Sequence, residues 1–406
     1  MVSIPGAGSA GMKVAFTPFV DPAWTGGLHY LRNLFSALAE AQQRPLEPVL
    51  FVPPGVPPAT LELLRPVLRQ DPIEVPAWGR GRAQRLLSAM LTGCDKASEA
   101  VFRGAGIDLV FENDVWYGTR FGLPTLAWIA DFQHCQLPHM FTPLQRFKRS
   151  AKYRAYCQHA SGVMVSSEDG KQDCETFFPS ARERVSSVPF AVELPSTVLE
   201  ADAPAVAARH GLPPKFFYFP AQMWRHKNHA RLVQALCLLK ARGVNVVVAA
   251  SGNAADAFRP DYPGQVLQTL QSEGLLAHFR FLGHIPYADI MPLMRASAAV
   301  VNPSLFEGWS TTVEEAKALG VPLVLSGLRV HREQAPAGTR FFDPDSAEDM
   351  AAVLAQAWTA LPPGPRPEAE RLAVATYQLR RAQFAYRFTE VARRAVARHA
   401  GQPIHA

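Results

Sequence analysis

Short apolar runs alternate along this chain with longer stretches of helical periodicity. The runs at 12–16, 49–52, 108–111, 124–130, 162–167, 184–188, 216–220, 244–250, 279–283, 298–301 and 321–326 are apolar and often β-branched, and they read as strands. The 244–250 run is continuous, as expected of a parallel strand covered on both faces, whereas 279–283 reads as a short edge strand. Helical spacing fills the segments between them. Leu31, Leu34, Phe35 and Leu38 recur on one face of a helix over about 28–41, and further helices are expected at 59–69, 81–103, 168–178, 229–242, 286–297, 311–319 and 346–359. After a proline-rich break at 362–367, a long stretch over 368–398 places Phe384, Phe388 and Val391 at steps of four and three. This alternation predicts an α/β chain with two Rossmann-like sheets. The first domain is expected over 12–192, a Pro-, Ser- and acid-rich linker over 193–204, the second domain over 205–365 and a terminal helix over 366–406. Residues 1–11 are small and Gly-rich and are expected to be disordered.

The most informative stretch is 298–320. An apolar strand ends at Asn302-Pro303-Ser304, a loop follows, and Thr311 with Glu314 forms a T-x-x-E capping box for a short helix that Gly320 ends. That cap occupies Glu314 and leaves Glu315, one step round the helix, to point elsewhere. Glu307 lies in the loop, with seven residues between it and Glu315. Between these carboxylates lie the free N–H groups of a helix N-terminus, a natural anion site. Two carboxylates on either side of a phosphate site suit a molecule with polyols on either side of a phosphate, as in a nucleotide sugar. The plain alternative is a surface helix with two solvated acids.

Other loops carry candidate chemistry. Strand 216–220 is followed by Trp224, Arg225, His226 and Lys227, a cationic strand-to-helix loop suited to a diphosphate. Strand 244–250 ends in Ser251-Gly252-Asn253, and strand 124–130 in Asp131-Phe132-Gln133-His134, both at sheet ends where open α/β folds bind ligands. The first strand leads into a loop with Pro18, Asp21, Pro22, Trp24, Gly26 and Gly27, where glycines let backbone approach a ligand closely. Arg146, Lys148, Arg149, Lys152 and Arg154 crowd one helical segment; it reads more simply as a solvated face than as a membrane or lipid-diphosphate patch.

Composition narrows the picture. At 406 residues the chain can build two ordinary cores, and no apolar run approaches the ~18 residues of a spanning helix. The N-terminus has no basic region or long apolar core and does not read as a signal peptide. Five widely spaced cysteines without C-x-x-C point to a reduced, cytoplasmic protein without a zinc site. A net charge of +6 suggests an anionic partner, and no RNA-binding signature makes that partner a nucleic acid.

The run Pro303-Ser304-Leu305-Phe306-Glu307-Gly308-Trp309-Ser310, with Glu315-Ala316, Gly320-Val321-Pro322 and Ser326, resembles the retaining glycosyltransferases of the GT-B fold, family 4 or group 1. The resemblance spans about 12–390, with its specific motifs between 216 and 335. It implies two Rossmann-like domains facing across a cleft, with the last helix crossing back to the first domain. It places Glu307 on the donor sugar, Glu315 on the ribose and Lys227 on the phosphates. Gly308, Trp309, Ser310, Thr311 and Thr312 then form the loop and helix start against the donor. Gly26 and Gly27 face donor phosphates and acceptor, His134 lies near the donor sugar, and His284 and Ile285 approach the nucleobase; Gly252, by its place at a sheet end, is a further candidate for touching the nucleotide. Where many members carry an arginine this chain has Gln222, and Arg225 is the substitute charge. The implied reaction takes a UDP- or GDP-linked sugar to a glycan or lipid-linked acceptor, with no metal or other cofactor and with peripheral contact at the inner membrane face as an option. A different GT-B activity, such as an epimerase using Asp131 as base, and an inactive nucleotide-sugar-binding scaffold are the alternatives.

Overall fold

The computed structural model describes residues 11–18, 25–41, 45–256 and 259–402. Contacts divide these into two units. Residues up to Phe132, Pro143–Glu193 and those from Arg380 onward form the first; Gln133–Thr142 and Leu194–Leu379 form the second.

The first unit is built on β1 (Met12–Phe16), β2 (Leu46–Val52), β3 (Ile73–Glu74), β4 (Leu109–Glu112), β5 (Thr125–Trp128), β6 (Gly162–Val165) and β7 (Val185–Ser187). They pair in parallel in the order β3-β2-β1-β4-β5-β6-β7. The second unit holds β8 (Phe217–Pro220), β9 (Val248–Ser251), β10 (Phe279–Phe281), β11 (Ala299–Asn302), β12 (Leu323–Ser326) and β13 (Arg340–Phe342), parallel in the order β10-β9-β8-β11-β12-β13. β4, β5, β6, β9, β11 and β12 are buried at every position, which is why their sequences are apolar without alternation. In each sheet the order turns back beside the first strand, at β1/β4 and β8/β11. Loops leaving the carboxyl ends of such neighbouring strands diverge and open a crevice there.

Several elements depart from expectation for local reasons. The helix expected over 81–103 is two, Arg82–Thr92 and Lys96–Gly104; Gly93 ends the first with φ +78°, and Asp95 caps the second by accepting from the Ser98 N–H at 3.2 Å. β9 begins at Val248, later than the apolar run that contains it. Within the 193–204 stretch, Ser196–Glu200 is helical and a second helix, Ala203–Arg209, begins. Gly26 and Gly27, expected in a loop, lie in the first turn of the helix Thr25–Glu40. Asp21, Pro22, Trp24 and the N-terminal segment 1–10 fall outside the described residues. No helix of the described residues is long and apolar enough to cross a membrane.

The terminal helix Pro367–His399 is unbroken and contributes to both units. In the second unit, Glu370 accepts from Arg295 Nε at 3.0 Å and Nη2 at 3.2 Å. In the first, Arg381 donates to both Glu40 oxygens at 2.6 and 3.0 Å and to Ser36 Oγ at 2.9 Å. Phe388 is fully buried there, its ring 5.7 Å from Phe111 and 6.1 Å from Phe16. Removing so large a buried ring leaves a cavity beside β1 and β4. Phe388→Ala should lower unfolding free energy by about 3–5 kcal/mol in urea titration; a loss under about 1 kcal/mol would show that the helix end does not belong to this core.

Candidate functional site

The second unit's switch point gathers the candidate residues. β8 leads into a turn, Arg225–Lys227, and then Asn228, which adopts φ +63° before the helix His229–Ala241. Asn228 is the one described non-glycine residue with positive φ. Its side-chain amide holds it in place by donating to the Pro303 carbonyl at 3.1 Å and the Pro344 carbonyl at 2.9 Å. The Leu305 N–H donates to the His226 carbonyl at 2.8 Å, so the loops after β8 and β11 are joined through backbone as well.

That junction brings Lys227 onto Glu307. Lys227 Nζ lies 2.7 Å from Glu307 Oε1, with side chains 18% and 9% exposed. The same oxygen accepts from Ser304 Oγ at 2.7 Å and Asn302 Nδ2 at 3.2 Å. Burial alone would raise the Glu307 carboxyl, but the Lys227 ammonium, with His331 and His226 behind it, outweighs burial and holds it at about 2. Glu307 is therefore a carboxylate at any working pH. His331 is buried in the same surroundings, and burial lowers its pKa, Glu307 acting against and Lys227 with that shift. Its Nδ1 lies 3.0 Å from the Ser326 carbonyl, which can only accept, so the Nδ1 carries the proton. Nε2 is then a bare acceptor, without a hydrogen bond among the described residues.

The helix after this loop, Thr311–Ala318, is capped differently from expectation. Ser310 is the cap: its Oγ accepts from the Val313 N–H at 3.4 Å, and there is no T-x-x-E box on Thr311. Asn302 Nδ2 also reaches Ser310 Oγ, at 3.1 Å, tying the cap to Glu307. Gln334 completes the frame by accepting from the Ser310 N–H and donating to the Ser310 carbonyl and to Glu314. Glu314 is occupied, as expected, but by Gln334 and by Lys317 at 2.7 Å. The helix ends in a full Schellman arrangement at Gly320 (φ +64°), with Val321 N–H to the Ala316 carbonyl at 2.9 Å and Gly320 N–H to the Lys317 carbonyl at 3.3 Å.

Glu315 does point elsewhere. It is buried and accepts from Tyr287 Oη at 2.9 Å. Burial pushes its carboxyl up to about 7, only partly offset by that hydrogen bond. The site thus holds two glutamates in opposite electrostatic conditions, one firmly ionised and one that gains or loses a proton near neutrality.

The remaining candidates distribute as follows. Gly308, Trp309, Thr311 and Thr312 flank the Ser310 cap, and Thr312 Oγ1 donates to the Pro220 carbonyl at 3.3 Å. Gly252 is required where it stands: φ is +146° and a Cβ would lie 2.3 Å from the Ala221 carbonyl oxygen. Gln222 braces the same corner by accepting from the Asn253 N–H at 2.8 Å, a structural use for the residue at the arginine position. Arg225 is exposed, and its N–H is anchored by Asp256 at 2.9 Å. His284 is exposed and Ile285 buried, just ahead of the helix Tyr287–Ala296. His134 lies buried in the helix Gln133–Gln136, near Cys135 and Phe141, in the segment that contacts assign to the second unit. Gly26 and Gly27 belong to the first unit. Asp131 faces Arg149 Nη2 with both oxygens at 3.4 Å. Asn302, Ser304, Tyr287, His331 and Gln334 were not anticipated; the polar Asn-Pro-Ser at a strand's carboxyl end was the one local signal for the first two.

Residues 206–362 match the family model described as Glycosyl transferases group 1. A stretch of 100 residues is 32% identical to the putative glycosyltransferase EpsF of Bacillus subtilis strain 168, covering 25% of this chain and 24% of that protein. In fold, the chain is similar to Alr3699/HepE of Anabaena, solved with UDP and glucose, at TM-score 0.65 and 16% identity over 93% of this chain and 98% of that one. It is equally similar to the sucrose-phosphate synthase of Thermosynechococcus elongatus, at TM-score 0.65 and 17% identity over 93% and 96%. With its two parallel Rossmann-like sheets, the fold of the chain is GT-B.

The raised Glu315 carboxyl has a signed consequence. The folded state holds this proton to higher pH than the unfolded chain, so the stabilisation is complete below the ordinary carboxyl pKa and is lost as pH rises through about 7. Without ligand, Glu315→Gln should gain stability relative to the natural protein between pH 5 and 8, by on the order of 3 kcal/mol in denaturant titrations. A difference that stays flat across this range would show that Glu315 ionises normally.

Proposed function

We propose that the chain is a retaining glycosyltransferase that moves a sugar from a nucleoside-diphosphate sugar, UDP- or GDP-linked, to a glycan or lipid-linked acceptor. The observation that carries this reading is the part-buried Lys227–Glu307 pair at the β8/β11 switch point, beside the N-terminus of the helix Thr311–Ala318. A cation, a carboxylate and helix N–H groups so placed supply the three contacts that a sugar diphosphate needs.

In this reading Lys227 and the exposed Arg225 take the diphosphate together with the N–H groups at Thr311 and Thr312. They offset the charge that grows on the leaving oxygen as the glycosidic bond breaks. Glu307, ionised and rigidly held, accepts from donor-sugar hydroxyls, and Glu315 accepts from the ribose. Hydroxyl donors favour a charged carboxylate, so nucleotide binding should draw the Glu315 proton off. Gly252, His284 and Ile285 border the nucleobase. His134, Gly26 and Gly27 serve the donor sugar and acceptor. No side chain is assigned as nucleophile; the departing phosphate oxygen assists deprotonation of the acceptor on the same face, giving retention. No resident metal is invoked, since the cations named carry the charge. UDP is the first nucleotide to try, because similar folds were solved with UDP and with UDP-glucose. The setting proposed is the cytoplasm.

The test begins with thermal shifts in UDP, GDP, ADP and dTDP and their common sugars. One nucleotide at about 100 times its Kd should stabilise by roughly 2.7 kcal/mol. Lys227→Ala and Glu315→Ala should abolish that shift. Glu307→Gln should keep nucleotide binding while lowering kcat about 10²–10³-fold once an acceptor is found. No stabilisation by any nucleotide would remove the reading, and a product of inverted anomeric configuration by NMR would remove its stereochemical part.

A further inference from the structure

The helix Arg82–Thr92 in the first unit is turned the wrong way for a helix on a soluble surface. Its apolar residues Leu86, Leu87, Met90 and Leu91 are 42%, 54%, 66% and 76% exposed. They share one face, at steps of one, four and five. Its inward side is held by Ala89, which is fully buried, and by Arg85, which stacks 4.5 Å over the Trp78 ring. An ordinary surface helix puts leucines inward and arginine outward. Scattered exposed leucines need no explanation, but four large ones on one short helix mark a contact surface.

The charge around this face says what it contacts. From 75 to 94 the sequence has no acid, and Arg85, turned inward, is one of its three arginines. A second helix of the same unit, Pro143–His159, repeats the combination: Leu144 and Phe147 are 61% and 70% exposed, with Arg146, Lys148 and Arg154 exposed among them. From 132 to 167 there are five Lys or Arg and again no acid; Arg149 and Lys152 pair with Asp131 and Asp114 from neighbouring segments, which leaves Arg146, Lys148 and Arg154 as the outward cations. The two helices lie in the β3-to-β4 and β5-to-β6 crossovers, which advance the same way across the sheet, and right-handed crossovers place such connections on one side of it.

We propose that the first unit docks on an anionic lipid surface through the outward face of Arg82–Thr92, with Pro143–His159 supplying cations and a second apolar contact. Leucine and methionine enter the boundary between headgroups and acyl chains while the cations meet anionic headgroups. A second copy of the chain is the poorer occupant, because a symmetric contact would bring the exposed cations of the same helix, Arg146, Lys148 and Arg154, towards their own copies.

The experiment is co-sedimentation of the full chain with vesicles of phosphatidylcholine alone and with about a third phosphatidylglycerol. The natural protein should bind the anionic vesicles, weakly bind the neutral ones, and be released by salt. Leu87→Gln with Leu91→Gln should cut anionic-vesicle binding about tenfold or more while leaving the far-UV spectrum and the thermal midpoint unchanged. Arg146→Gln with Lys148→Gln should remove most of the preference for the anionic vesicles. The proposal fails if the natural protein ignores anionic vesicles, or if the double leucine variant binds as before. It also fails if the natural protein is a dimer that this variant makes monomeric, since the face then belongs to a second copy. No donor enters the assay, so its outcome is independent of the transferase reading.

Discussion

The ion pair between Lys227 and Glu307 is the interaction around which the second unit's functional edge is arranged. A carboxylate this deeply placed would take up a proton unless a cation and hydrogen-bond donors compensate the lost water. The chain supplies the cation from the loop after β8 and the donors, Asn302 and Ser304, from the end of β11. Neither loop could bring its partner into place alone. Asn228 therefore adopts a left-handed conformation that its amide bonds to two carbonyls compensate, and the Leu305–His226 backbone bond closes the seam. Asn302 then passes the constraint on, because the amide that reaches Glu307 also reaches the Ser310 cap. The carboxylate, the cap and the helix N-terminus form one polar network, in which disturbing any member shifts the others.

Within that network the two glutamates are pushed in opposite directions by position alone. Glu307 meets a fixed ammonium, whereas Glu315 meets a phenol and a buried apolar surround. Environments that separate the pKa values of two like groups usually separate their tasks as well. A permanently charged carboxylate can hold hydroxyls without waiting on solvent protons, while one titrating near pH 7 couples ligand binding to proton release.

Most of the fold was legible because buried parallel strands are short, apolar and regularly spaced. The E-x7-E pair and Lys227 were legible as well, since they sit at strand ends beside a helix start. What escaped detection depends on side chains that meet only after folding. Thr311 with Glu314 has the letters of a capping box, yet Ser310 takes the cap because Asn302 and Gln334, from two other elements, hold it in an extended conformation. Gln222 looked like a missing charge and is a loop brace. His331 and Tyr287 reach the site from helices whose local sequences carry no ligand-like pattern. The outward leucines of Arg82–Thr92 were invisible for a related reason: periodicity reveals that a helix has an apolar face, but not which way the face turns.

The resting pair also shapes what the proposed donor must do. A diphosphate approaching Lys227 competes with Glu307 for the same ammonium, and each unit of charge drawn away leaves a largely buried carboxylate less compensated. Phosphate alone gains a cation and strands an anion. A donor that brings sugar hydroxyls to Glu307 while its phosphates engage Lys227 supplies donors to the carboxylate as it removes the cation, so both groups remain satisfied. In the proposed complex the pair thus favours the intact sugar nucleotide over its fragments, and cleavage of the glycosidic bond separates the two halves of that compensation. The released nucleoside diphosphate then holds Lys227 without serving Glu307, and re-formation of the 2.7 Å ion pair favours its departure.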